Sequence, residues 1–404
     1  MPIGRRVFVR DGVLGLAAAA ALPGFLARSA RAAEPGRRQL VVLFLRGAVD
    51  MLNVVVPCAD PDYPALRPSL AIPRGAVVPL DGAFGLHPAL APLAPRWAEG
   101  HLAPVVAAGS PDPTRSHFEA QAYMESGTPG IPATPDGWLN RCAGALPGPP
   151  SPWRAVAPGP NLPRALSGAA PALALGGIAA APAQGPDSAA VEAMYAASSD
   201  AAARRDARAA LDAARVLRAL RPDPAARAGY PRGGFGAALQ QLAAVLKADL
   251  GVATAFADLG GFDHHVSEGG VEGRLAERLG VLAAGLAAFW ADLGDRAEDV
   301  VVVALTEFGR TARENGDRGT DHGHGSAMLL LGGPVRGGKV YGRWPGLAPT
   351  QLHDGRDLAV TTDFRLVLGE VVTRHLGVRE LGAVFPGFNV AGAGGFLGVL
   401  GPRS

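Results

Sequence analysis

The chain has 404 residues, 48% of them hydrophobic and 18% charged, which excludes a disordered chain and a small module stapled by disulfides. Formal net charge is +2, but residues 1–32 hold five arginines and one aspartate. The remainder carries 33 basic against 35 acidic residues and has no electrostatic bias toward nucleic acid or anionic lipid.

Residues 1–32 read as an address. Arg5 and Arg6 open a twin-arginine start, Gly12 to Leu26 is an apolar run too short and weak to hold a bilayer, and Ala30-Arg31-Ala32 is a cleavage site. The expected partner at this stage is the twin-arginine export machinery, and the product is expected in the periplasm or outside the cell, with no stable membrane span. Two cysteines, Cys58 and Cys142, are too few for a disulfide framework and lack metal-ligand spacing. They either pair after export or fill the core as small residues.

Gln39 to Leu45 is a continuous apolar run, as expected of a strand buried on both faces. It ends in a glycine turn carrying Asp50, which is either a carboxylate presented at the sheet edge or a turn residue. Residues 57–85 read as an irregular excursion. Leu86 to Trp97 predicts a helix shortened or kinked by Pro92 and Pro95. Leu102 to Ala108 predicts the second strand. Ser116 follows at a helix start with Glu119 three residues on, the spacing of a capping box. The alternative for Ser116 is a nucleophile or anion contact, flanked by Arg115 and His117.

Residues 128–235, rich in Ala, Pro and Gly, predict an insertion or cap, with surface helices between Ser188 and Leu220. Gly236 to Leu250 reads as an amphipathic helix and Gly251 to Ala257 as a strand. That strand delivers Asp263, His264 and His265 from a glycine-rich turn. Glu272 to Leu293 is a long helix, and Asp299 to Leu305 a buried central strand. Beyond it come Thr306-Glu307-Phe308-Gly309-Arg310 and Gly319-Thr320-Asp321-His322-Gly323-His324. Ligands of open α/β sheets gather at the carboxyl ends of strands, and Asp-His-Gly-His offers donors suited to zinc, manganese or iron. Ala327 to Leu331 predicts another strand, Gly332 to Gly342 a turn into an edge strand, and Phe364 to His375 a helix capped by Asp363. The tail from Gly392 is expected to fray.

The blocks Leu45 to Asn53, Arg115 to Gln121, Gly261 to His265, Thr306 to Thr311 and Gly319 to Gly323 resemble the twin-arginine-exported bacterial proteins grouped as domain-of-unknown-function family 1501. That family is similar in outline to the alkaline phosphatase and sulfatase superfamily. The resemblance implies a single three-layer α/β/α domain over residues 33–404, with a mostly parallel central sheet and a two-metal site at the strands' carboxyl ends. It implies Asp50 as a carboxylate ligand and Ser116 in the nucleophile position. Asp263 and His265 would hold one ion, completed by His322 or His324. Glu307 stands where the superfamily has an Asp-His pair, which removes an imidazole from the second ion's shell. Asp321 or His324 would make up that deficit, or the site holds one ion.

The expectation is therefore an exported hydrolase acting on a phosphate or sulfate ester with one or two divalent ions, zinc or manganese. Ser116 is the expected nucleophile, and Arg115 and Arg310 would neutralise the equatorial oxygens. The rival is an inactive periplasmic binding or assembly protein that keeps the fold and at most one structural metal.

Overall fold

The computed structural model describes residues 38–176, 193–194, 197, 199–220 and 229–401. The expected export signal lies outside the described residues. Eight strands form one sheet: β1 (Gln39–Leu45), β2 (Leu102–Gly109), β3 (Ala155–Ala157), β4 (Leu173–Ala174), β5 (Thr254–Leu259), β6 (Val300–Leu305), β7 (Ser326–Gly332) and β8 (Thr362–Asp363). Their spatial order is β8-β2-β7-β6-β1-β5-β3-β4. Every pairing is parallel except the two made by β7, which runs antiparallel to both β2 and β6.

The apolar runs explain why the sheet lies in the middle. All seven residues of β1 and all six of β6 are buried, and successive side chains serve opposite faces. Val41, Leu43 and Leu45 join a core with α4 (Gly234–Lys247) and α5 (Arg274–Leu293). Leu40, Val42 and Phe44 join a second core on the other face. Its helical cover is α1 (His117–Ser126), α2 (Trp138–Ala145) and α6 (Phe364–Glu370). Helices therefore cover both faces. The remaining long helix, α3 (Ala201–Ala219), belongs to the Ala-rich stretch. At about 1.5–3 kcal/mol for each large apolar side chain buried, this double-sided burial dominates the fold's stability.

Several expectations need correction. The segment 128–235 is not purely an insertion on the sheet, because β3 and β4 extend the sheet itself. Their runs are two and three residues long, too short to carry a periodic signal. The excursion 57–85 contributes to a small separate sheet of Val55–Val56, Gly85–Leu86 and Val78–Pro79. The helix expected from Leu86 begins as a 3-10 turn over Pro88–Leu93, with Pro92 inside it. Beyond Gly332, which ends β7, residues 333–342 supply only isolated bridges, and on that side the sheet edge is β8. The C-terminal tail is tied down: Val399 and Leu400 are buried, and the Arg336 amide donates to the Val399 carbonyl at 2.8 Å. Cys58 and Cys142 are both free thiols. Burial pushes the Cys142 thiol up to about 12, so it stays protonated as a core residue. No helix among the described residues is long and apolar enough to cross a membrane.

Candidate metal centre

Five loops meet at the carboxyl ends of β1, β2, β5 and β6, because β7 enters the sheet from that same side. The segments 306–310 and 319–326 are laced together by the Gly309 amide to the His324 carbonyl and the Gly323 amide to the Gly309 carbonyl, both 2.8 Å. Glycine is needed at Gly309, where a Cβ would lie 1.7 Å from the Gly325 oxygen. Gly47 has φ +108, and a Cβ there would lie 2.8 Å from the Asp263 nitrogen. The turn after β1 and the turn after β5 thus touch backbone to backbone.

In this crowded edge His117, Asp263 and His322 bring one ligand atom each to within 4.8 Å of one another. The His117 Nε2 lies 3.0 Å from His322 Nε2, and His265 Nε2 lies 3.0 Å from the same atom. Asp263 Oδ1 is 3.0 Å from His265 Nε2 and 3.4 Å from His322 Nε2, while Oδ2 is 3.6 Å from His117 Nε2. Donors 2.0–2.1 Å from a tetrahedral ion stand roughly 3.3–3.4 Å apart. The spacings among His117, Asp263 and His322, 3.0 to 3.6 Å, bracket that value, and His265 adjoins the group through His322 and Asp263.

Protons argue the same way. His117 Nδ1 donates to Glu307 Oε1 at 2.8 Å, His265 Nδ1 to Asp321 Oδ1 at 3.1 Å, and His322 Nδ1 to the Arg115 carbonyl at 2.8 Å. Carboxylates and carbonyls only accept, so each of these Nδ1 atoms carries the hydrogen. In the neutral rings all three Nε2 lone pairs then face inward. Protons bridge such contacts only by charging neighbouring rings, whereas one divalent cation among His117, Asp263 and His322 satisfies the atoms that face one another there. Imidazoles backed in this way by oxygen acceptors are the usual surroundings of a metal. The Glu307 bond raises the His117 pKa against the opposing effect of burial, and burial lowers that of His322. Burial would also raise the Asp263 pKa, but the Arg310 guanidinium overrides it and holds the carboxylate ionised.

The other expected residues take different posts. Glu307 is fully buried and is not at the imidazole face. Its Oε1 accepts from His117, from the Gln121 side-chain amide (2.8 Å) and from the Gly47 amide (2.9 Å), and its Oε2 accepts from the Thr306 hydroxyl (2.9 Å). Burial alone would raise its pKa, and these donors hold it below the ordinary value instead. Glu307 is thus the acceptor behind His117. Asp321 plays the same part behind His265, steadied by the Asn315 amide at 3.2 Å. Asp50 faces the other way, with Oδ1 accepting from Arg67 Nη2 at 2.8 Å and Oδ2 from Nη1. Arg67 is 0% exposed, and the pair is a buried ion pair of the loop core. His324 leaves the cluster and stacks on His353, ring centroids 4.4 Å apart, where burial drives its pKa down to about 4.

The residues expected to act on substrate make contacts within the protein. The Ser116 hydroxyl accepts from the Glu119 amide at 3.5 Å as the N-cap of α1, and no side-chain base among the described residues hydrogen-bonds it. Arg310 is 1% exposed and joins three loops through the carbonyls of Gly47, Ala48, Phe262 and Thr320 and the Asp263 carboxylate. Arg115 is clamped by Asp357 at 2.6 and 3.0 Å and by Asp354 at 3.3 Å. Its carbonyl, not its guanidinium, serves the site. The site residue least legible in the sequence is His117, next to Ser116. Its signal was present but faint: an imidazole in the first turn of α1 and, one turn on, Gln121, both bonded to Glu307.

No curated protein and no solved structure matches the chain. Residues 101–384 match the family described as "Protein of unknown function (DUF1501)", a span that takes in β2, the His117 helix start and every residue of the imidazole cluster, and the chain belongs to that family.

Proposed function

We propose that the protein is an exported metal-dependent hydrolase of phosphate or sulfate esters, with one divalent ion held by His117, Asp263 and His322 and with His265 beside them. The observation that carries the metal is the convergence of His117, Asp263 and His322, the Nδ1 atoms of both imidazoles being already committed. Imidazoles and a carboxylate suit zinc or manganese. The choice of an ester rests on the resemblance of the motif blocks to the alkaline phosphatase and sulfatase superfamily.

A bound ion would supply Lewis acidity, polarising an ester oxygen and easing deprotonation of a water. The chain's own residues prepare for this. Glu307, Asp321 and the Arg115 carbonyl fix the tautomers of the three imidazoles. Arg310 keeps Asp263 ionised and aimed. The side chains of His117, His265, His322 and Asp263 are 22%, 40%, 27% and 45% exposed, so a substrate can reach them. The capping role of Ser116 argues for water rather than a serine as nucleophile.

That same capping role supports a second reading, a binding protein that holds the ion and has lost turnover. Elemental analysis of the exported protein, joined to a panel of aryl phosphate and sulfate esters, separates the two. About one ion per chain with hydrolysis abolished by His322→Ala supports the enzyme. One ion without hydrolysis supports the binder, and a metal-free folded protein overturns both.

A further inference from the structure

At the carboxyl ends of β1 and β5 an open cleft of about 950 Å³ is bounded by the loop Pro158–Pro163, the end of α3, α4 and the start of α5. That volume is at the upper end for a small-molecule site. Leu162, Leu217, Phe235 and Phe256 give it apolar walls, and Leu162 is 39% exposed.

The polar lining is unbalanced. Arg46 is neutralised by Asp258 at 2.6 Å and Glu125 at 2.9 Å. Arg278 makes one hydrogen bond, to the Gly260 carbonyl, and has no carboxylate partner among the described residues. Its Nε is buried without an acceptor, and so is the Nε2 of Gln240, another lining residue. Both side chains are short of acceptors, and the Arg278 charge meets no carboxylate among the described residues, which costs free energy.

We propose that this cleft binds an amphipathic carboxylate, its apolar body against Leu162, Leu217, Phe235 and Phe256 and its head on Arg278 and Gln240. The site is independent of the metal. It adjoins the cluster through a hydrogen-bonded chain in which Arg46 donates to Gln121 at 2.9 Å and Gln121 donates to Glu307.

Titration calorimetry of the zinc-loaded mature protein with decanoate, decanol and decyltrimethylammonium tests it. Decanoate should bind at least ten-fold more tightly than the other two. Arg278→Leu should remove roughly ten-fold or more of that affinity and leave decanol binding and zinc content unchanged. If Arg278→Leu does not fold, Gln240→Leu carries the test, with decanoate weakened about three-fold. Equal affinity for decanoate and decanol, indifference to both substitutions, or no binding by any of the three overturns the proposal, and none of these outcomes touches the metal reading.

Discussion

Glu307→Gln is the substitution that probes the centre most sharply. The amide has the shape of the carboxylate, and its oxygen still accepts from His117, Gln121 and Gly47. What is lost is the negative charge that makes His117 a stronger donor to a cation. Changes behind a metal-bound histidine typically cost 10- to 100-fold in metal affinity, about 1.4–2.7 kcal/mol. Glu307→Leu is harsher, since it strands three buried N–H donors at about 1–3 kcal/mol each, and it endangers the fold itself. The assay is competition for zinc against a chelating dye, with urea unfolding of the same samples. Glu370→Gln is the control. That glutamate is equally buried but bonds the Gly398 and Leu400 amides and Arg374, so it should lower stability and spare zinc affinity. Unchanged zinc affinity in Glu307→Gln, or equal losses in both variants, would refute the assignment of His117 as a ligand.

Ser116→Ala should cost about 1 kcal/mol of stability as a lost cap and leave metal content and any ester hydrolysis intact; abolished turnover in a well-folded variant would return the nucleophile to Ser116. Asp50→Ala leaves the Arg67 charge buried and unpaired, so denaturant unfolding should show a loss of about 3–5 kcal/mol, and a loss below 1 kcal/mol would mean the ion pair is not formed. His375 is 3% exposed, bonds the Gln39 carbonyl at 3.0 Å, and has its pKa lowered by burial to about 4. Because the unfolded chain takes up that proton first, stability is complete above about pH 6.5 and falls as pH drops toward 4, by roughly 3 kcal/mol from this group. Unfolding curves for His375→Gln should show a shallower decline over that window, and parallel declines in the two proteins would contradict it. Chelator treatment should lower the melting temperature of the zinc-loaded protein, as removal of any native-state ligand does.

The main strands and long helices were legible because they are local. β1, β2, β5, β6 and β7 each announce themselves by a run of buried apolar residues, and α4 and α5 by apolar residues at helical spacing. β3, β4 and β8 did not, since two or three residues carry no period and owe their state to the neighbour they pair with. Asp263, His265 and His322 were legible as donors because each leaves a glycine-rich turn at a strand end.

Their partners were not. Asp50 and Glu307 look alike in sequence, both being acids just past a buried strand. Only the fold shows that Arg67 consumes the first and that the second accepts from an imidazole 190 residues away. Ser116 drew attention from His117 because a hydroxyl at a helix start has two chemistries, and only the Glu119 amide contact decides between them. The amino-acid order by itself determined a sheet buried on both faces with oxygen and nitrogen donors at one edge. The tertiary structure alone decided which donors face one another, because hydrogen bonds between distant loops set the direction of each lone pair.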